Sequence, residues 1–125
     1  MAPDDRVDYY RAQSRHFLVL VDDELHRNEL EEAANKLWGA AAHAIKAVAE
    51  ARSWQHNGHA LLETAVMRLL AEGAPPRLSG LYDLASRFHR GFYGDQPFTA
   101  NQIYNGKEPV ADFIQTLENL PDPQT

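Results

Sequence analysis

The chain has 125 residues, no cysteine and a formal net charge of −6. This length suits one domain spanning residues 1–125, and 44% hydrophobic with 24% charged residues is typical of a globular protein. The lack of cysteine excludes disulfides, thiolate metal ligands and cysteine nucleophiles. The acidic balance argues against broad, non-specific binding to nucleic acid. The polar N-terminus and the lack of a long apolar run predict a cytoplasmic protein that does not contact the membrane.

The first four predicted elements are helices, because apolar residues recur at three- and four-residue spacing and no segment shows sustained period-two alternation. We predict the first helix over about 5–26 and the second from the turn at 26–28 to about 53. The third follows to 72–73, and the fourth covers about 78–92. Asn28 with Glu31 is expected to cap the second helix, and Asn57 the third.

The C-terminal region predicts shorter helical pieces. Thr99 and Gln102 can form a capping box for a short helical turn, which the Asn105–Gly106 pair should end. A last helix is expected from about Glu108 to about residue 120. The fold class that follows is all-α, an up-and-down four-helix bundle with an additional short C-terminal helix.

The second predicted helix is rich in alanine and contains Trp38. Many alanines on one helix allow a neighbouring helix to approach closely, and the tryptophan then fills a defined gap. Where this helix should end, a group of cationic, aromatic and amide side chains appears. That junction is therefore the first place to look for a site.

Three segments together resemble a known family: KLWGAAAHAIKAVAEARSW, then QHNGHALLETA, then RFHRGFYGD. From about Glu31 to Leu120 the chain is similar to the HEPN-like helical-bundle superfamily, and particularly to its archaeal PaREP-type branch. The resemblance implies a bundle that often forms homodimers and is sometimes encoded beside a minimal nucleotidyltransferase partner. Many such domains bind nucleotides or cleave RNA as toxins. The resemblance thus implies an RNA or nucleotide ligand and a place in a toxin–antitoxin-like system.

The superfamily's catalytic motif is an arginine followed, after four to six residues, by a histidine. The histidine acts as acid or base, without a metal, while the arginine stabilises the phosphate charge. Arg52 and His59 fit this spacing at the junction of the second and third helices, so they are the candidate catalytic residues. His56 and Asn57 lie between them and are candidate ligand-binding residues.

A second candidate ligand site lies in the segment from Arg87 to Tyr93. Arg87 and His89 are only two residues apart, which departs from the family motif and argues against ribonuclease activity there. Arg90 and Tyr93 lie close by in sequence, and aromatic stacking combined with arginine is a common way to hold single-stranded bases. Arg87, His89, Arg90 and Tyr93 are therefore candidate ligand-binding residues.

Each candidate also has a structural interpretation. Arg52 could bind the carbonyls that end its helix, Asn57 could cap the next one, and the histidines could be hydrogen-bonded within the bundle. Arg11 and His16 also match the motif spacing, which shows how readily it arises. The sequence has no Glu-x-x-His repeat and no glycine-rich phosphate loop, so we predict neither a metal nor a cofactor.

Two functional hypotheses follow from these patterns. The first is a nucleotide- or RNA-associated helical bundle, for which the question of catalysis is open. The second is a catalytically silent module for dimerisation or protein interaction, in which the same residues have only structural roles. The positions of the candidate side chains in the fold discriminate between them.

Overall fold

The computed structural model describes residues 3–90, 92–93, 96–121 and 123. Its helices are α1 (Pro3–His26), α2 (Leu30–Ala51), α3 (His59–Ala71), α4 (Arg77–Arg87) and α5 (Ala100–Glu118). A 3₁₀ turn (Phe88–Arg90) follows α4, and the strands β1 (Phe92–Tyr93) and β2 (Gln96–Pro97) form a two-residue antiparallel pair. The all-α prediction is confirmed, and within the described residues the two-residue strand pair is the only strand structure added to it. None of the described helices is both long and apolar enough to cross a membrane.

Helix α2 lies at the centre of the fold and packs against each of the other four helices. The alanines of α2 allow this packing, because most of them are buried and their small side chains let the neighbouring helices approach closely. On the α1 side, the Phe17 ring lies over Gly39, and the buried Ser14 hydroxyl donates a 2.7 Å hydrogen bond to the Ala40 carbonyl. The finer prediction of an up-and-down four-helix arrangement stays a prediction.

The turn between α1 and α2 corrects the first of the capping predictions. Asn28 adopts φ 57° and ends α1, because its N–H bonds the Leu25 carbonyl and the next N–H bonds that of Glu24. It does not cap α2, whose N-cap is Glu29 without a side-chain bond. Ser53 ends α2 in the same way, with φ 59°. These are paired C-terminal bonds around a left-handed residue, the usual stop for a helix.

The prediction that Asn57 caps α3 is also wrong. The N-cap position is Gly58, with φ 98°, and it provides no side-chain hydrogen bond. Only glycine adopts this backbone conformation without strain, so the turn geometry determines the residue at the cap. The first N–H groups of α3 are consequently without a capping side chain.

The C-terminal region forms one helix instead of two pieces. The Thr99–Gln102 capping box is confirmed, with bonds of 3.2 and 2.9 Å, but α5 continues through Gly106 and Pro109. Ile103, Val110 and Phe113 are all buried, so a single helix places the apolar residues of both predicted pieces in the core. Helix α4 is shorter than predicted and ends at Arg87.

Candidate functional site

Three aromatic side chains from separate elements meet near the start of α3. The indole of Trp38 lies 5.1 Å from the His59 ring and 5.2 Å from the His89 ring, measured between centroids. The two imidazoles lie 4.7 Å apart. Trp38 is half-buried and both histidines are exposed, so the group forms part of the surface. We call Trp38, His59 and His89 the aromatic cluster.

The local sequence explains how these residues come together. Gly58 permits the turn that makes His59 the first residue of α3, and the 3₁₀ turn after α4 carries His89 back toward α2. His59 and His89, predicted as separate candidates, are thus neighbours. The uncapped N-terminus of α3 lies at the same place and presents N–H groups and the positive end of the helix dipole. Together these features offer a stacking surface beside donors suited to an anion.

Tyr82 of α4 lies beneath the aromatic cluster. Its ring makes an edge contact with Trp38, 6.3 Å between centroids, and it is only 5% exposed. Among the described residues, its hydroxyl has no hydrogen-bond partner. Burial raises the pKa of Tyr82 to about 12, and the charges of Glu63 and Asp83 act in the same direction. Nothing in the sequence singles out Tyr82, because its spacing from Leu78 and Ala85 is that of a core residue.

Arg52, one of the two predicted catalytic residues, is bound to backbone carbonyls. Its guanidinium donates to the Pro121 carbonyl at 3.0 Å and to the Val48 carbonyl at 3.4 Å, and it lies over the Trp54 ring. His59 has different partners, the two other rings of the aromatic cluster. The structure therefore pairs His59 with His89, and it gives Arg52 contacts that tie the C-terminal segment to the end of α2.

His56 belongs to a clamp between α1, α2 and the turn that follows α2. Its Nε2 donates to Glu50 at 2.8 Å, and Arg6 forms an ion pair with the other carboxylate oxygen. The two hydrogen bonds, with that from His56 the larger influence, lower the pKa of Glu50 below its usual range. The Tyr10 ring closes the clamp, 5.3 Å from the imidazole. Asn57, beside it, is exposed.

His43 shows the kind of contact expected of a histidine inside a bundle. Its Nδ1–H donates to the Gly39 carbonyl at 2.8 Å, and its ring makes an edge contact with Phe17 of α1. Burial is the main cause that lowers the pKa of His43. A neutral imidazole packed against α1 fits a structural role.

The remaining candidates lie around the end of α4. Arg87 is exposed and lines a shallow groove of about 270 Å³ that Phe98 and Pro109 also line. Arg90 lies in the 3₁₀ turn and Tyr93 in β1, but their side chains fall outside the described part of the chain. Within the described residues, no group of three or more His, Asp or Glu side chains could hold a metal ion.

The fold and the aromatic cluster together define an all-helical domain in which two exposed histidines pack on a tryptophan at a helix junction. More particularly, the chain belongs to the archaeal PaREP1/PaREP8 family, whose family model matches residues 9–114. The family resemblance predicted from the sequence is thereby confirmed, whereas the link to the wider HEPN-like superfamily stays a prediction. No curated protein and no solved structure matches the chain.

Proposed function

We propose that this protein binds RNA or a nucleotide at the aromatic cluster, as the HEPN-like resemblance implies. The observation that carries the proposal is the meeting of His59 and His89, from two separate elements, on the indole of Trp38. Exposed aromatic rings hold unpaired bases by stacking, which works for a protein of negative charge because it needs no broad basic surface. The uncapped start of α3 supports the proposal, because its N–H groups suit a phosphate.

RNA cleavage is the finer part of this proposal. Two neighbouring imidazoles can act as base and acid on either side of a phosphodiester, which is the chemistry expected of a metal-independent ribonuclease. The predicted pair was Arg52 with His59. Since the Arg52 guanidinium is bound to two carbonyls, the geometry favours His59 with His89 instead.

The test is incubation of the purified protein with mixed RNA, comparing wild type with His59→Ala, His89→Ala and Arg52→Ala. His26→Ala is the matched control, because the only bond of that exposed histidine to a described residue is to the Asp22 carbonyl of its own helix. We expect cleavage to be lost with either cluster histidine and kept in the other two variants. Equal products from all forms, or none from any, would remove the ribonuclease interpretation. Direct titration with a labelled RNA oligomer then tests binding alone.

A second candidate function is pairing with another protein, most simply a second copy of this chain. The observation that favours it is a groove of about 830 Å³ between α4 and α5, lined by Gly80, Leu84, Arg77 and Asp112 among others. A Cβ on Gly80 would meet nothing within 4 Å, so packing inside the described chain does not explain this helical glycine. Leu84 is 38% exposed, and Arg77 with Asp112 gives the groove both charges that a self-complementary interface needs.

The pairing hypothesis is tested by sedimentation of the wild type and of Gly80→Arg, which fills the groove. A dimer that becomes a monomer in the variant supports pairing through α4 and α5. If the wild type is a monomer at high concentration, the homodimer hypothesis is wrong. Co-expression with a minimal nucleotidyltransferase then tests the other predicted partner. Met67→Arg on α3 is a control of equal charge outside the groove, because Met67 is 63% exposed.

A further inference from the structure

The hydroxyl of Tyr82 has no evident role in the fold. The hydroxyl is buried and has no hydrogen-bond partner among the described residues. The aromatic ring of Tyr82 contacts Trp38 and Phe113. An unpaired buried hydroxyl costs free energy, and a phenylalanine would fill the same space without that cost. Something other than the internal packing therefore accounts for a tyrosine at this position.

The surroundings of Tyr82 relate its hydroxyl to the aromatic cluster. The ring lies against Trp38, the residue on which His59 and His89 both pack. Glu63, one helical turn after His59 on α3, is close enough for its charge to act on the Tyr82 hydroxyl. Tyr82 therefore lies on the buried side of the aromatic cluster, and a charged residue of α3 acts on its hydroxyl.

We propose that the Tyr82 hydroxyl donates a hydrogen bond to the base of a nucleotide bound at the aromatic cluster, and so discriminates among bases. This inference rests on the proposed function. The exposed His59 side chain lies over the indole and can turn outward toward the N-terminus of α3, where it contacts the phosphate. A base then takes the place of the imidazole against Trp38, with an edge carbonyl or ring nitrogen toward Tyr82. The hydroxyl remains protonated at neutral pH, so it is available as a donor.

The chain allows a direct measurement, because it has only two tryptophans. In a Trp54→Phe background, Trp38 is the only tryptophan, and a base stacked on it should quench its fluorescence. We would titrate this protein with AMP, GMP, CMP and UMP, and with ribose 5-phosphate, which lacks a base. Tyr82→Phe is the test variant, and Tyr104→Phe is the matched control, since Tyr104 is 64% exposed on α5.

We expect Tyr82→Phe to lower the affinity for the preferred nucleotide roughly fivefold to tenfold, as the loss of one neutral hydrogen bond should do. Ribose 5-phosphate should not quench Trp38 in either protein, and the melting temperature of Tyr82→Phe at pH 7 should not fall. Equal nucleotide affinities in Tyr82→Phe and wild type would overturn this inference and leave the proposed function standing. A lower melting temperature would also overturn it, because the hydroxyl would then serve the fold. Failure of every nucleotide to bind the wild type would remove the proposed function itself.

Discussion

The ring of Phe88 lies directly over the backbone of Gly106, and no side chain at residue 106 fits beneath it. A Cβ there would lie 2.5 Å from the Phe88 Cζ and 2.7 Å from its Cε2. Phe88 is buried and also packs on Phe98, with 4.8 Å between ring centroids. This contact holds the 3₁₀ turn that carries His89 against the middle of α5.

Gly106→Ala should therefore destabilise the protein even though alanine is the better helix former. We expect the free energy of unfolding to fall by about 1–3 kcal/mol, as for an overpacked core. Gly80→Ala is the matched control, because open space surrounds that helical glycine, and it should gain up to about 1 kcal/mol. Urea unfolding of both variants gives the comparison. An equal rise in unfolding free energy in Gly106→Ala and Gly80→Ala would contradict this prediction, because Phe88 would then move aside without a cost in stability.

The same contact shows what the sequence could and could not predict. Helical periodicity predicted the all-α class and the positions of α1 to α3, because apolar spacing is a local property. The Asn105–Gly106 pair predicted a break, since glycine and asparagine are typical of turns, and only the approach of Phe88 explains the glycine. Tertiary packing determined this outcome, and no local pattern records it.

The candidate site was predictable in the same partial way. His59 and His89 were each singled out from their local segments, but their contact depends on the turn after α4 and on Trp38. The sequence spacing pairs Arg52 with His59, whereas one of the actual partners of Arg52, the Pro121 carbonyl, lies far along the chain. Contacts between distant segments, such as these, are not determined by spacing along one segment.

The left-handed backbone conformation of Ser53 leads to a prediction about backbone strain. It ends α2 with φ 59°, a left-handed conformation that costs a residue with a side chain but not glycine. Ser53→Gly should raise the free energy of unfolding by about 0.5–1 kcal/mol. Gly73→Ala, at φ 104° after α3, should lower it by about 1 kcal/mol or more. Thermal unfolding at one pH measures both, and a less stable Ser53→Gly protein would contradict the prediction.

Tyr82 should make the protein sensitive to alkali. The folded state holds its proton to a pKa of about 12, against 10.0 for an ordinary tyrosine. The folded pKa is the higher one, so the stability is intact below pH 10 and is lost as the pH rises from 10 toward 12. Tyr82→Phe should lose less stability than the wild type, by about 1 kcal/mol at pH 11. Urea unfolding from pH 8 to pH 11 measures this, and Tyr104→Phe should follow the wild type. Parallel curves for Tyr82→Phe and wild type would contradict it.

The clamp formed by Arg6, Glu50 and His56 should make the protein sensitive to acid. The hydrogen bonds from His56 and Arg6 lower the pKa of Glu50 below its usual 4.5. Because the folded pKa is the lower one, the stabilisation is present above pH 4.5 and disappears as the pH falls through the folded value. Glu50→Gln should therefore have a lower free energy of unfolding than the wild type at pH 6, by about 1 kcal/mol, and this difference should shrink as the pH falls below 4.5.

Glu118→Gln is the control for this measurement. Glu118 also pairs with an arginine, but the Arg15 side chain is 64% exposed, and such surface pairs contribute little. The difference in unfolding free energy between Glu50→Gln and the wild type should shrink steadily from pH 6 to pH 3. The corresponding difference for Glu118→Gln should be small at every pH. A loss in Glu50→Gln that does not change with pH would mean that the amide disturbs packing and that the carboxylate's charge is not what holds the turn. Calorimetric melting across this pH range decides between the two, because only the charge titrates.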